Sequence, residues 1–260
     1  LVLIFSLFFL KVSSGAASFL AAVILANLIS LLAGFLMAKK LATFKMRLSR
    51  EILTKIFQEA LPMGGVLIIF SIYNKLDAVL LQSLKGSLAV GVYGLSYRIY
   101  EVLVLGAFYL MNSLLPLLSK EKDRKAFLVL YKNSFKLLFL GGALVFIGVL
   151  IFAPLAIQLI AWKKFSDFQN SIPLLRILGF ALFFSYLNHL TGAAILVLGR
   201  QKIYLLITFL ALAFNLLANL FFIPRYSFFA SAWITVGTEA LVFFLTSLLV
   251  ARVFKEDFKH

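Results

Sequence analysis

Apolar residues dominate the chain in long runs, and short polar segments separate those runs. Each run of about 20 or more nearly uncharged residues matches the length that an α-helix needs to cross roughly 30 Å of hydrocarbon. The pattern predicts seven complete membrane-spanning helices, near residues 14–38, 57–83, 90–118, 134–160, 171–197, 201–222 and 228–250. Residues 1–10 are too few to span and predict the tail of another helix, so we expect a part of a longer protein.

Composition supports an all-α integral membrane protein over a soluble enzyme. The 260 residues are 63% hydrophobic and 13% charged, whereas soluble domains have about 25% charged residues. The apolar runs also exceed the roughly ten-residue alternating strands of a membrane β-barrel. The chain has no cysteine, which excludes disulfides and thiolate chemistry.

We expect most of the net charge of +15 to reflect the topology of the chain in the membrane. If the tail at 1–10 ends outside, 17 of the 25 Lys and Arg residues fall on inner connections and 5 on outer ones. Cytoplasmic loops collect basic residues, so this asymmetry predicts a cytoplasmic C-terminus and gives no reason to invoke nucleic acid.

Two basic segments organise the chain. Residues 39–55 form the longest one, and we expect a cytoplasmic linker there between residues 1–38 and a six-helix part at 56–252, with a cytoplasmic tail at 253–260. The second segment, at 120–132, mixes charges with Phe and Leu and predicts a short amphipathic helix on anionic lipid headgroups.

Two stretches carry a family pattern. The first runs from residue 60 to 119, and the second reads NLLANLFFIPRYSFFASAWITVGTEA from residue 215, with Ser227 and Ala230 where Gly is usual. Together they resemble the polysaccharide-export flippases of the multidrug/oligosaccharidyl-lipid/polysaccharide exporter superfamily. The matching positions are Pro62, Asp77, Val90, Gly91, Tyr93, Arg98, Pro116, Asn215, Asn219, Pro224, Tyr226, Ala232, Thr235 and Glu239.

The resemblance implies a transporter of two six-helix lobes around a central cavity. This chain would supply the C-terminal lobe and the end of the N-terminal one, and the missing N-terminal lobe would be its partner. The implied activity is alternating-access transport of an undecaprenyl-pyrophosphate-linked oligosaccharide across the bacterial cytoplasmic membrane. The other expected partners are membrane lipids and a coupling H⁺ or Na⁺. No cofactor is implied.

Four ionisable residues lie inside two neighbouring spans, where a charge costs roughly 2.5–3.5 kcal/mol on insertion scales. Lys75, Asp77, Arg98 and Glu101 all fall in the outer half of the membrane, counted at 1.5 Å per residue. They are interpreted either as ion pairs joining the helices or as a site for the substrate's pyrophosphate. In that site Arg98, Lys75, Asp77 and Asn74 would bind substrate, and Asp77 or Glu101 would accept the coupling ion.

Further polar residues lie in later spans. Glu239 in the last span is a candidate ion site, or it hydrogen-bonds within the bundle. Asn215 and Asn219, four residues apart, would line a cavity for sugar hydroxyls or join helices. Asn188 and His189 lie mid-span, where a packed histidine is the more common case.

Three functions from different classes remain open. A flippase fits best, because Lys75 and Arg98 favour an anionic cargo. A multidrug cation antiporter would share the fold. A membrane-embedded polysaccharide polymerase or acyltransferase would need reactive groups on large loops, and the outer connections are short. No catalytic or metal-binding motif is present in the sequence.

Overall fold

Helices account for nearly all of the chain that the computed structural model describes, which is residues 16–41, 49–121 and 123–257. They are α1 (Ala16–Leu41), α2 (Arg50–Lys120), α3 (Arg124–Ala161), α4 (Ser171–Val197), α5 (Gln201–Tyr226) and α6 (Phe228–Asp257), with a 3₁₀ helix at Trp162–Phe168 between α3 and α4.

Within these ranges, six helices are long and apolar enough to cross a membrane. The predicted all-α membrane bundle is therefore confirmed. The helical tail predicted at residues 1–10 lies outside the described residues.

Helix α2 is a hairpin of two spanning arms. Its 71 residues reverse at Gly86, whose backbone (φ 79°, ψ −179°) is not helical. The hydroxyls of Tyr93 and Tyr97 in the second arm donate to Asp77 and Asn74 in the first, at 2.8 and 3.0 Å. The partner that lies further before Gly86, Asn74, bonds the one that lies further after it, Tyr97. The two arms therefore run antiparallel, as predicted for two neighbouring spans.

Helix α3 contradicts one expectation. The segment at 120–132 was predicted to form a separate helix on the membrane surface, but α3 runs without a break from Arg124 to Ala161. Asp123 caps it by accepting a hydrogen bond from the Ala126 N–H at 3.0 Å. Phe127 is buried, with its ring 5.8 Å from that of Phe254 in α6. Phe127 of this segment therefore packs on protein, whereas Val129 is exposed.

Helix α4 is the centre of the core. It is apolar on all sides, as expected of a helix that other helices surround, and it packs mainly against α3 and α6. The Tyr186 hydroxyl donates to the Leu103 carbonyl at 3.1 Å, directly beside Gly106, where a larger side chain would collide with it. Large apolar side chains on the other helices, such as Leu88, Leu144 and Leu248, are exposed, as lipid contact requires.

The chain forms two compact units, Leu1–Lys55 and Ile56–His260. The first contains α1, whose last turn carries Lys39 and Lys40, a favourable position for positive charge beside the helix dipole. The second contains α2 from Ile56 onward, helices α3 to α6 and all of the candidate site residues.

Candidate functional site

Asp77 is the centre of a buried network of hydrogen bonds. Its side chain is 2% exposed. One carboxyl oxygen accepts bonds from the Tyr93 hydroxyl at 2.8 Å and the Thr235 hydroxyl at 2.9 Å. The other accepts a bond from the Asn219 amide at 2.8 Å. The network thus joins both arms of α2 to α5 and α6.

A second layer of buried polar groups supports Asn219. Its amide nitrogen also lies 3.1 Å from the side-chain oxygen of Asn215, and its own oxygen accepts a bond from Ser231 at 3.1 Å. The Asn215 amide donates to Thr238 at 3.2 Å. These residues are all buried, so the network is closed to solvent on this side.

The chemistry of this network suits a small hard cation or a proton. A buried carboxylate normally pairs with a positive group, yet only neutral amides and hydroxyls donate to Asp77. Carboxylate and hydroxyl oxygens are ligands that hard cations prefer, whereas Asn219 turns its amide nitrogen toward Asp77. Among residues 16–41, 49–121 and 123–257, no group of three or more His, Cys, Asp or Glu is placed to hold a metal. Asp77 therefore contributes one negative charge to a network of neutral groups.

A separate, exposed cluster contains the basic side chains of Lys75 and Arg98. Glu101 forms ion pairs with Lys75 at 2.6 Å and with Arg98 at 3.4 Å. The side chains of Lys75 and Arg98 are 63% and 81% exposed. Two cations share one carboxylate, so the cluster has a formal charge of +1.

The structure divides the predicted site residues into these two groups. Lys75, Arg98 and Glu101 lie together, as their depths predicted. Asp77 was expected beside them, but it points into the bundle, because residues two apart on a helix lie on different faces. Asn74 is half-buried, accepts a bond from the Tyr97 hydroxyl and donates to the Phe70 carbonyl.

Asn215 and Asn219 lie with Asp77 in the buried network. Their amide groups bind other protein groups there, and neither side chain is accessible to a sugar.

Glu239 is the centre of a third polar group. It is 4% exposed, and the Asn188 amide donates to its carboxylate at 2.7 Å and to its backbone carbonyl at 2.9 Å. His189, next to Asn188, places its Nδ1 atom 2.8 Å from the Ser185 carbonyl. The two mid-span polar residues of α4 are thus brought beside the buried carboxylate of α6.

Sequence reasoning missed Ser231 and gave Tyr93 no role beyond its place in a motif. One signal was available in α6. Ser231, Thr235 and Glu239 repeat at intervals of four residues, which places three polar side chains on one face of an apolar helix.

Two sequence comparisons find a polysaccharide biosynthesis family and a membrane protein. Residues 1–122 match the family model described as "Polysaccharide biosynthesis protein". The chain is also 29% identical over 187 residues to "Uncharacterized membrane protein MJ1375" of Methanocaldococcus jannaschii, an alignment that covers 72% of this chain and 43% of that protein.

Solved structures share the fold. One is titled "Outward-facing conformation of a multidrug resistance MATE family transporter of the MOP superfamily" (17% identity, TM-score 0.77), covering 98% of this chain and 61% of that one. Another is "Crystal structure of MATE in the bent conformation" (18% identity, TM-score 0.76), covering 99% and 60%.

The chain thus spans about two-fifths of the length of the curated relative and three-fifths of the solved transporters. The family match and the membrane relative agree with the predicted resemblance, and the solved structures share the fold of this chain.

Proposed function

We propose that this chain forms the substrate-binding C-terminal lobe of a flippase that moves a lipid-linked, pyrophosphate-bearing oligosaccharide between leaflets of a cytoplasmic membrane. The observation that carries the proposal is the cluster of Lys75, Glu101 and Arg98. Its two basic side chains are 63% and 81% exposed, although they lie on the largely apolar arms of α2. The family match over residues 1–122 agrees with a role in polysaccharide synthesis.

Glu101 positions the Lys75 and Arg98 side chains where an anionic cargo can bind them. In the absence of cargo it neutralises half of their charge, which lowers the cost of keeping them within the membrane. A pyrophosphate brings several oxygen acceptors, and the planar guanidinium of Arg98 can bind two of them side by side. Lys75 adds a point charge, so the cargo competes with Glu101 for both cations. This competition limits the affinity and lets the cargo leave on the other side.

Asp77 is the proposed site of the coupling ion. Its network connects α2, which carries the cationic cluster, to α5 and α6. A Na⁺ or H⁺ that binds here removes the unpaired charge and stabilises one arrangement of these helices. Because Lys75 lies two residues from Asp77 on the same arm, movement of that arm would change the cationic cluster as well. Glu101, which is already paired with two cations, fits a counter-charge better than an ion site.

The charge of the cluster separates this proposal from a multidrug cation antiporter of the same superfamily. An organic cation would meet net repulsion at Lys75 and Arg98. A pyrophosphate is attracted there.

The test is Arg98→Ala in the full-length protein, in a cell whose surface polysaccharide requires it. We expect polysaccharide display to fall at least about tenfold, because a charge-assisted bidentate contact is lost. Arg176→Ala is the matched control. Arg176 is also exposed, but its guanidinium bonds the Leu150 carbonyl outside the cluster. Protein levels in the membrane should stay equal in both variants. Normal display with Arg98→Ala would reject the assignment.

A further inference from the structure

A cavity of about 510 Å³ lies in the second unit, between the first arm of α2 and the connection from α4 to α5. Residues 199–203 form one wall, and Gln58 and Pro62 of α2 form the other. Sites for small ligands typically have volumes of roughly 300–1,000 Å³, so the space is large enough for a headgroup-sized molecule.

The helices beside this cavity are in contact one turn further along. Leu205 of α5 lies against Gly65 of α2, where an added Cβ would come within 2.9 Å of the leucine side chain. On the other side of the cavity the chain turns at Gly199, whose φ of 67° lies in the left-handed region that favours glycine. The cavity thus occupies the space between a close helix contact and a tight turn.

The cavity lies at the end of the unit that carries the basic connections. Ala194 and Ile195, near the end of α4, pack with Val250 of α6, and Phe254 packs against the same cluster. This is the end at which Phe127 meets Phe254. The distribution of basic residues predicts that this end is cytoplasmic, so a ligand here would lie at the level of the inner-leaflet headgroups.

Two basic side chains line the cavity without a carboxylate beside them. Arg200 and Lys202 are both exposed, and none of the described residues that line the space is acidic. No side chain caps the first turn of α5, so its N–H groups and the positive end of the helix dipole also favour an anion. Phosphate oxygens suit this combination of a guanidinium, an ammonium and a helix N-terminus.

Exposed apolar side chains follow the basic residues on both helices. Ile203 forms part of the cavity wall and is exposed, as are Leu206 on α5 and Leu61 on α2. A soluble phosphate would leave these side chains uncovered. The acyl chains of a lipid can cover them while the phosphate stays beside Arg200 and Lys202, which favours a lipid as the source of the anion.

We propose that this cavity binds the headgroup of an anionic glycerophospholipid of the inner leaflet, with the lipid phosphate between Arg200 and Lys202. The amide of Gln58 lines the opposite wall and can bond headgroup hydroxyls, such as those of phosphatidylglycerol. Phosphatidylcholine fits less well, because its trimethylammonium group would lie beside two cations. The bound lipid joins α2 to the connection between α4 and α5.

This site is independent of the proposed flippase cargo. Lys75 lies 17 residues beyond Gln58 on α2, which is about 25 Å at 1.5 Å per residue. Neither Lys75 nor Arg98 lines the cavity. Loss of lipid binding here would therefore leave the cationic cluster intact, and a negative result with Arg98→Ala would leave this site untouched.

The experiment uses the purified full-length protein in uncharged detergent. The probe is phosphatidylglycerol with a fluorophore on one acyl chain, and its anisotropy reports binding. We expect saturable binding that unlabelled phosphatidylglycerol displaces. Phosphatidylcholine should displace the probe at least about tenfold less well, because it has no net negative charge. Glycerophosphoglycerol, the headgroup without acyl chains, should also be at least about tenfold weaker, because it leaves the apolar side chains uncovered.

Variants test the location of the site. The double substitution Arg200→Gln and Lys202→Gln should weaken probe binding at least about tenfold. Gln58→Trp keeps both charges but fills the cavity, and it should weaken the probe as well. The matched control, Lys163→Gln with Lys164→Gln, removes the same charge from exposed residues of the 3₁₀ helix and should bind like the wild type. Without lipid, all of these proteins should have similar thermal unfolding midpoints, because the replaced side chains are exposed.

Equal displacement by phosphatidylglycerol and phosphatidylcholine would overturn the proposal, and so would a probe affinity unchanged by the double substitution of Arg200 and Lys202. If glycerophosphoglycerol displaces the probe as well as the intact lipid does, the cavity is a site for soluble phosphate esters and the lipid is rejected. If undecaprenyl pyrophosphate displaces it at least about tenfold better than phosphatidylglycerol does, the cavity binds the transport cargo and the proposal is likewise rejected.

Discussion

Two carboxyl groups, Asp77 and Glu239, are buried within predicted membrane spans, and their surroundings decide what each can do. Asp77 accepts hydrogen bonds from the neutral side chains of Tyr93, Thr235 and Asn219. Glu239 accepts one from the amide of Asn188. Neutral hydrogen bonds reduce the cost of a buried charge without removing it. A bound cation or proton would remove that remaining cost, which is the physical basis of the ion site proposed at Asp77.

Substitution of Asp77 by Asn should abolish stabilisation of the protein by its coupling ion. For the wild type at an ion concentration about 100 times Kd, linkage raises the free energy of unfolding by about 2.7 kcal/mol. The variant keeps the shape of the side chain but loses the charge. Its thermal unfolding midpoint should therefore be the same in Na⁺ as in a large organic cation, and it should lose the wild type's response to acid.

Asp167→Asn is the matched control for this measurement. Asp167 is exposed in the 3₁₀ helix, and its contact in the described part of the chain is a long bond from Ser166 at 3.4 Å. This variant should respond to the ion like the wild type. An Asp77→Asn protein that Na⁺ or acid still stabilises to the full extent would place the coupling ion elsewhere.

The sequence predicts which residues could carry chemistry but not which of them meet. An ionisable or amide side chain inside an apolar span is conspicuous, so Asp77, Asn215, Asn219 and Glu239 were identified. Asn219 lies 142 residues from Asp77 along the chain, and no periodicity predicts that their helices are neighbours. The same limitation applies to Asn188, whose partner in α6 becomes evident only when the helices are packed.

At the scale of secondary structure, the hairpin of α2 depends on one glycine. Gly86 has φ 79° and ψ −179°, a region of backbone conformation that essentially only glycine adopts. The turn keeps the two arms in the register that lets Tyr93 reach Asp77. Lys85, beside the turn, donates to the Pro224 carbonyl at 2.8 Å and ties the hairpin to α5.

Gly86→Ala should therefore destabilise the protein by about 1–3 kcal/mol through backbone strain. Gly91→Ala provides the matched control within the same helix, because a methyl group there meets no atom within 4 Å and φ is ordinary. Alanine favours a helix over glycine by up to about 1 kcal/mol, so the control should be neutral or slightly more stable. Denaturation in mixed micelles measures both, and equal stability of the two variants would contradict the role of Gly86.

Hydropathy predicted the spanning segments well because their length is imposed by the membrane. It did not predict how helices continue beyond the membrane. The segment at 120–132 has the composition of a surface helix, yet Asp123 caps α3 and Phe127 packs against Phe254. An amphipathic face looks the same in sequence whether lipid or protein covers it.

At the scale of the whole second unit, contacts between distant residues sort the helix ends into two groups. Ser171 at the start of α4 donates to the Val92 carbonyl, and Lys85 donates to the Pro224 carbonyl, so these ends lie together. The rings of Phe127 and Phe254 meet at the opposite end. Alternate connections therefore fall on opposite sides, as the distribution of basic residues requires.

Which side is cytoplasmic can be tested with single cysteines, because this chain contributes none of its own. Ser166 and Ser119 are both exposed, at opposite ends of the unit, and their replacement by cysteine leaves the charge distribution unchanged. A membrane-impermeant maleimide should label Ser166→Cys in intact cells, and it should label Ser119→Cys only after permeabilisation. The reverse pattern would invert the orientation and place the C-terminus outside. Because cytoplasmic loops retain Lys and Arg, and the basic connections lie at the Ser119 end, we expect the first pattern.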